Sequence, residues 1–279
     1  MHNCYLTVDG LKIAYNIIHP EKENTLFFIH GNSTSSQTWR KQVESNFLED
    51  YRLITMDLPN HGNSAAMKID GDYSLPALAK IMGAVINLLI HNRPYIICSV
   101  SLGTNIVAEL MRGDLSPKGL FFAGPCIVGE GFGMDKLVLP GADPTAVFAE
   151  NVPKEMVIKY GNESSLSADS KDKEVFLKDY YAVQGNFRSS LYATIAAGNY
   201  SDEIAILQKR NCPVCIVFGE AEMIVNRDYL NEAPINLWNK TIYKLPGASH
   251  LVNIDAPEAF NELVAGFAAD MFTPVSMAL

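Results

Sequence analysis

No basic run of five to eight residues interrupts this 279-residue chain, and its formal charge is −9. Nucleic acid is set aside as a partner on that ground, because neutralising phosphates takes clustered Lys and Arg. A long apolar run is also missing. The longest, around Ile81–Ile90, falls well short of the roughly 20 residues that span a bilayer, so no membrane partner is expected. The first residues, MHNCYLTVDG, have neither the positive nor the apolar region of a secretory signal, and a cytoplasmic location is expected. Six scattered histidines form no His-x-His or His-Glu-x-x-His cluster, so neither a metal site nor a cofactor is implied. Repeats and low-complexity tracts are absent as well. Cysteine is sparse and odd in number, five in all, with Cys98, Cys126, Cys212 and Cys215 in apolar runs. Such residues are expected as buried reduced thiols, and the Cys212–Cys215 pair as core packing around a strand.

What is present describes a soluble globular protein with ample core: 48% hydrophobic and 19% charged residues. Short Val/Ile/Phe-rich runs alternate with helical patterns, the signature of a mostly parallel sheet covered on both faces. Strands are predicted at 25–30, 52–57, 95–100, 119–124, 213–219 and 240–245, after an antiparallel hairpin over 4–18 that turns at Asp9-Gly10. Apolar residues at Leu75, Leu78, Ile81, Met82, Val85, Ile86 and Leu89 predict a helix between Ser74 and His91. The final helix is expected to open at 255-DAPE-258, with Asp255 as its N-cap and Glu258 completing a capping box. The alternation lapses over 126–201, where short amphipathic pieces follow Gly-rich turns. That length suggests a cap or lid inserted into a core of 1–125 and 202–279.

The chemistry centres on 95-YIICSVSLG-103, a strand running into Ser-x-Ser-x-Gly and then a helix. A nucleophile on such a sharp turn needs small residues two positions either side. Counting from Gly103 makes Ser101 the nucleophile and Ser99 a small spacer. A serine hydroxyl is a weak nucleophile and needs a base, itself oriented by a third group. His250 has the right setting, in a loop between the strand 240–245 and the last helix. The orienting acid is expected just beyond the strand 213–219, where Glu220 and Glu222 are both available. The oxyanion of the tetrahedral intermediate needs donors. The backbone N–H groups of Asn32, after the strand ending in His30-Gly31, and of Leu102 are expected to supply them. His30, Asp57 and His61, in tight turns on the same sheet edge, are read as structural.

Taken in order, HGNS after one strand, DLPNHGNS after the next, SVSLG at the elbow, and GEAE and GASH near the end, the chain resembles the α/β-hydrolase superfamily over nearly its whole length. The resemblance implies that fold class, with helices on both faces of the sheet and an inserted helical cap. It also places the acid three residues past a strand-ending glycine, at Glu222, for a Ser101–His250–Glu222 triad. HGNSTS, GLFFAGP, NLWNKTIYKLPGASH and the Glu at 222 make the chain similar to the metal-independent N-acyl-homoserine lactonases of that fold. That group carries a cap tyrosine near the lactone. Met156 stands at the aligned position here, with Tyr160, Tyr180 and Tyr181 elsewhere in the cap.

The resemblance implies a serine esterase or lactonase whose small-molecule substrate carries an apolar acyl chain, and acyl-homoserine lactone ring opening, hence quorum quenching, in its sharpest form. Ile127, Phe132, Met134, Phe148 and Met156 are the cap residues expected to line the acyl site. A general carboxylesterase, a perhydrolase, a C–C bond hydrolase, and a ligand-binding receptor with vestigial activity are the alternatives.

Overall fold

The computed structural model describes residues 3–273. One eight-stranded sheet runs through it, in the order β1-β2-β4-β3-β5-β6-β7-β8. Its strands are β1 (Cys4–Val8), β2 (Leu11–Ile18), β3 (Thr25–Ile29), β4 (Arg52–Met56), β5 (Tyr95–Val100), β6 (Gly119–Ala123), β7 (Val214–Gly219) and β8 (Leu237–Leu245). In the hairpin β1 pairs antiparallel with β2, β2 pairs antiparallel with β4, and every other pairing is parallel. Asp9 and Gly10 turn that hairpin with φ of 49° and 82°, the left-handed pair that a two-residue turn requires.

Every residue of β3 to β7 is buried, which is why these strands read as unbroken apolar runs. Alternate side chains serve opposite faces. Phe27, Ile97, Phe122 and Ile216 pack beneath α2 (Leu75–Ile90), α3 (Leu102–Leu110) and α9 (Glu203–Arg210). Phe28, Cys98, Phe121 and Cys215 pack on the other face, against Trp39 and α11 (Pro257–Phe272). Cys215 is thus a core residue, and all five cysteines are free thiols.

Two expectations need correction. Strand β8 begins at Leu237, three residues before its predicted start, because Asn239 and Lys240 at positive φ absorb an irregularity in its pairing with β7. Asp255 does not cap the last helix: Ala256 stands there without a side-chain cap. Asp255 instead ends the short α10 (Val252–Asp255). Its carboxylate accepts from the backbone of Ser249, Leu166 and Ser167 and from the Ser165 hydroxyl. Four donors from two loops outcompete one helix terminus.

Between β6 and α9 the chain forms no strand of the main sheet. It forms α4 (Met134–Leu137), α5 (Thr145–Phe148), α6 (Lys154–Ser164), α7 (Ser170–Ala182) and α8 (Phe187–Ala196). Polar bonds hold this helical segment to the loops at the carboxyl ends of the strands. Asn32 Nδ2 donates to Val147 O at 2.9 Å, Ser35 Oγ to Asp179 at 2.6 Å, and Arg188 Nε to Ser33 Oγ at 2.9 Å, while Arg40 pairs with Asp172. No helix among the described residues is long and apolar enough to cross a membrane.

Candidate active site

Ser101 lies at the junction of β5 and α3 with φ 52° and ψ −126°. For a residue with a Cβ this conformation costs about 1–3 kcal/mol and persists only where its surroundings enforce it. They do so here. Ser101 N donates to Ala123 O, and its carbonyl accepts from both the backbone and the hydroxyl of Thr104. Close approach of the neighbouring turn makes two glycines obligatory. A Cβ on Gly103 would fall 2.7 Å from His30 O, and one on Gly31 would fall 2.9 Å from Ser101 Cβ. Ser99 sits within β5, fully buried, with its hydroxyl unpartnered.

His250 projects from the loop after β8 and is buried. Its Nδ1 meets Glu222 Oε2 at 2.9 Å, while Glu222 Oε1 accepts from the backbone N–H groups of Ile224 and Val225. Both carboxylate oxygens therefore have partners. Glu220, two residues earlier, is exposed. Burial opposes the imidazolium, but the Glu222 carboxylate and then the Cys126 thiol outweigh it, so the pKa of His250 lies above the ordinary imidazole value. His250 Nε2 is buried and has no hydrogen-bond partner.

Ser101 Oγ meets Cys126 Sγ at 3.8 Å and makes no hydrogen bond to His250. The thiol thus lies against both groups, a neighbour that the sequence reading placed only in an apolar run. The Asn32 and Leu102 N–H groups have no protein acceptor among the described residues, Leu102 being the first residue of α3.

The three turns read as structural are tightly bonded. His30 bridges Gly31 O and Leu58 N, His61 bridges Pro59 O and Ser33 N, and Asp57 accepts from Ser36 N and Asn63 N.

A mainly apolar cavity of about 140 Å³ opens above Ser101. Asn32, Leu102 and Cys126 line it at the base, with Met134, Phe148 and Tyr160 from the helical segment. Of the five cap residues expected there, Met134 and Phe148 reach it. Ile127 does not: it is fully buried in the core beneath, where its carbonyl accepts from Tyr229. Phe132 packs on the same core cluster from the rim. Met156 lies one turn of α6 before Tyr160, and it is Tyr160, packed edge-on against Phe176 and Tyr180, that lines the cavity. Val128, Leu191 and Ile195 complete the apolar wall, the last two from α8. No group of three or more His, Cys, Asp or Glu among the described residues could hold a metal ion.

The model of the alpha/beta hydrolase family matches residues 26–263, from β3 through His250 into α11. The chain belongs to that family. It is 26% identical over 277 residues to the uncharacterized hydrolase YugF of Bacillus subtilis (strain 168), covering 94% of this chain and 96% of that protein. Among solved structures it is similar to N-acyl homoserine lactonase AidH complexed with N-butanoyl homoserine, with a TM-score of 0.88, 23% identity and 98% of each chain covered. It is also similar to the esterase RhEst1 from Rhodococcus sp. ECU1013, with a TM-score of 0.80, 21% identity, and 97% and 98% covered. At these identities the structural likeness establishes the α/β-hydrolase fold.

Proposed function

We propose that this α/β-hydrolase cleaves carboxylic esters and lactones through Ser101, His250 and Glu222, and that N-acyl-homoserine lactones are its sharpest substrate class. The observation carrying this reading is the buried, unpartnered Nε2 of His250, held by Glu222 beside a strained Ser101 at the floor of an apolar cavity. Ser101 Oγ attacks the acyl carbonyl as Nε2 takes its proton, and Glu222 stabilises the imidazolium that forms. The free N–H groups of Asn32 and Leu102 receive the oxyanion. Collapse returns the proton to the leaving alcohol, and a water activated by the same histidine then releases the acid. From a lactone, one open-chain acid results.

The apolar wall supports an acyl chain, since each buried methylene contributes roughly 0.8 kcal/mol, about fourfold in binding. Segment 126–201 acts as the cap that supplies this wall. The likeness to a lactonase and an esterase supports the same chemistry. The test is acid release from homoserine lactones and from nitrophenyl esters, each acylated from acetyl to decanoyl. kcat/KM is expected to rise over several carbons and level off as the cavity fills, with the lactones favoured. Equal rates from acetyl to decanoyl would remove the acyl site, and turnover of esters alone would remove the lactone.

A further inference from the structure

Asn105 lies one helical turn beyond Ser101 on α3 and lines the same cavity, though only 7% of it is exposed. Its side-chain amide is fixed from behind. Nδ2 donates one hydrogen to Cys126 O at 2.7 Å and the other to Glu203 Oε2 at 2.9 Å. A backbone carbonyl can only accept, so the amide orientation is settled: nitrogen to the rear, oxygen to the cavity. Glu203 is itself fully buried and accepts from Val128 N at 2.8 Å, clamping Asn105 to the start of the helical segment. Burial pushes the Glu203 carboxyl up to about 8, so at neutral pH it is mainly neutral and puts little charge behind the site.

Oδ1 of Asn105 accepts nothing from the described residues, yet it is not among the sealed, unpartnered atoms of the interior. It therefore opens on the cavity, an acceptor in a mainly apolar lining that includes Leu75, Val128, Leu191 and Ile195. Desolvated by a bound acyl chain, such an acceptor discriminates strongly against ligands that leave it unpaired.

We propose that Asn105 Oδ1 is a specificity determinant, receiving a hydrogen-bond donor that the substrate carries on its α carbon, an amide N–H above all. The inference rests on the ester and lactone reading of Ser101. A helical turn of four residues rises about 6 Å. Ser101 and Asn105 thus line one cavity a single turn apart, a spacing of the order of the two bonds from the scissile carbon to an α nitrogen plus one hydrogen bond. α-Acylamino lactones and esters are thereby preferred to plain ones of equal length.

The experiment compares two lactones of one shape: α-hexanoylamino-γ-butyrolactone and α-(2-oxoheptyl)-γ-butyrolactone, in which a methylene replaces the N–H. Rates are normalised to alkaline hydrolysis of each. The native enzyme is expected to favour the N–H compound by about tenfold or more in kcat/KM. Asn105→Leu is expected to bring that ratio to near one. Asn105→Asp, which keeps an acceptor, retains part of it. A native ratio near one, or a ratio unmoved by Asn105→Leu, overturns the proposal.

Should Asn105→Leu fail to fold, dissociation constants of the same pair on Ser101→Ala give the ratio without catalysis, and equal constants overturn it. If neither lactone is cleaved, the lactone reading fails separately. The matched esters methyl N-hexanoylglycinate and methyl 4-oxononanoate then decide the role of Asn105 by the same ratio.

Discussion

The two sides of the cavity are built differently. On the sheet side, the proposed catalytic groups sit on turns whose backbone is bonded many times over: Ser101 through Ala123 and Thr104, and Glu222 through Ile224 and Val225. Beneath them, His30, Asp57 and His61 lock three loops together. On the helical side, two helices of four residues and three longer ones pack few large apolar groups of their own, in a cluster centred on Val157, Tyr160 and Tyr180. They are tied to the sheet by separate polar bonds at Asn32, Ser35, Arg188 and Asp255. The proposed chemistry is thus placed on the more heavily bonded wall, where small errors in geometry are costly. The proposed selection of substrate shape is left to the wall that can change without disturbing the sheet.

Substitutions on the two walls should separate these roles. The largest effect is expected from Ser101→Ala, with kcat on a nitrophenyl ester falling by about 10⁴-fold or more, because nucleophile and base act as a unit. Ser99→Gly should remain folded and active. If Ser99 rather than Ser101 proved essential, the assignment of the turn would fail.

Glu222→Gln should lower kcat by about 10²- to 10⁴-fold, since an amide orients the imidazole poorly and cannot stabilise its cation. It should also move the pH profile. His250 acts as a base only when neutral, and its raised pKa places the acid limb of kcat/KM above the ordinary imidazole value. Loss of the carboxylate lowers that limb. Glu220→Gln should leave both rate and profile unchanged, and equal effects at the two positions would remove the distinction between them.

Where the walls meet, Glu203→Gln tests a buried acid by stability. The folded chain holds this carboxyl near pKa 8 against an ordinary 4.5. Between those values the unfolded chain releases a proton that the folded one keeps, so native stability falls as pH rises from 4.5 to 8. Glu203→Gln should flatten that slope in denaturant melts, with a gain on the order of a few kcal/mol by pH 8. Parallel curves for the two proteins would show that Glu203 titrates normally.

The smallest effect is expected at Asp255. Asp255→Ala leaves backbone donors at Ser249, Leu166 and Ser167 without their acceptor, a cost of about 1–3 kcal/mol in unfolding free energy. KM should rise more than kcat falls, because the tie between the helical side and the His250 loop is lost. An unchanged melting midpoint would make the tether irrelevant.

Legibility in the sequence follows the same division. The parallel strands declare themselves because burial on both faces demands unbroken Val, Ile and Phe. The turns after them are recognisable because Gly31 and Gly103 admit no larger residue. The helical segment has no such constraint. The stretch before α4 is irregular and carries no apolar period, so composition alone makes Ile127 and Phe132 plausible wall residues. Met156 is expected there only through its alignment with the family's cap tyrosine, whereas Tyr160, one turn further along α6, is the residue that lines the cavity. Asn105 did have a signal, its spacing of four from Ser101. Glu203 had none, because an acid in the first turn of a helix ordinarily reads as solvated.

The central claim, that Ser101 activated by His250 is the nucleophile, is tested most directly by covalent labelling. Diisopropyl fluorophosphate phosphorylates an activated serine with loss of fluoride, and peptide mapping by mass spectrometry locates the adduct. One adduct per chain is expected, on the peptide containing Ser101, with parallel loss of ester turnover and no labelling of Ser101→Ala. Undiminished turnover in a fully treated enzyme, or an adduct on Cys126 with Ser101 unlabelled, would contradict it.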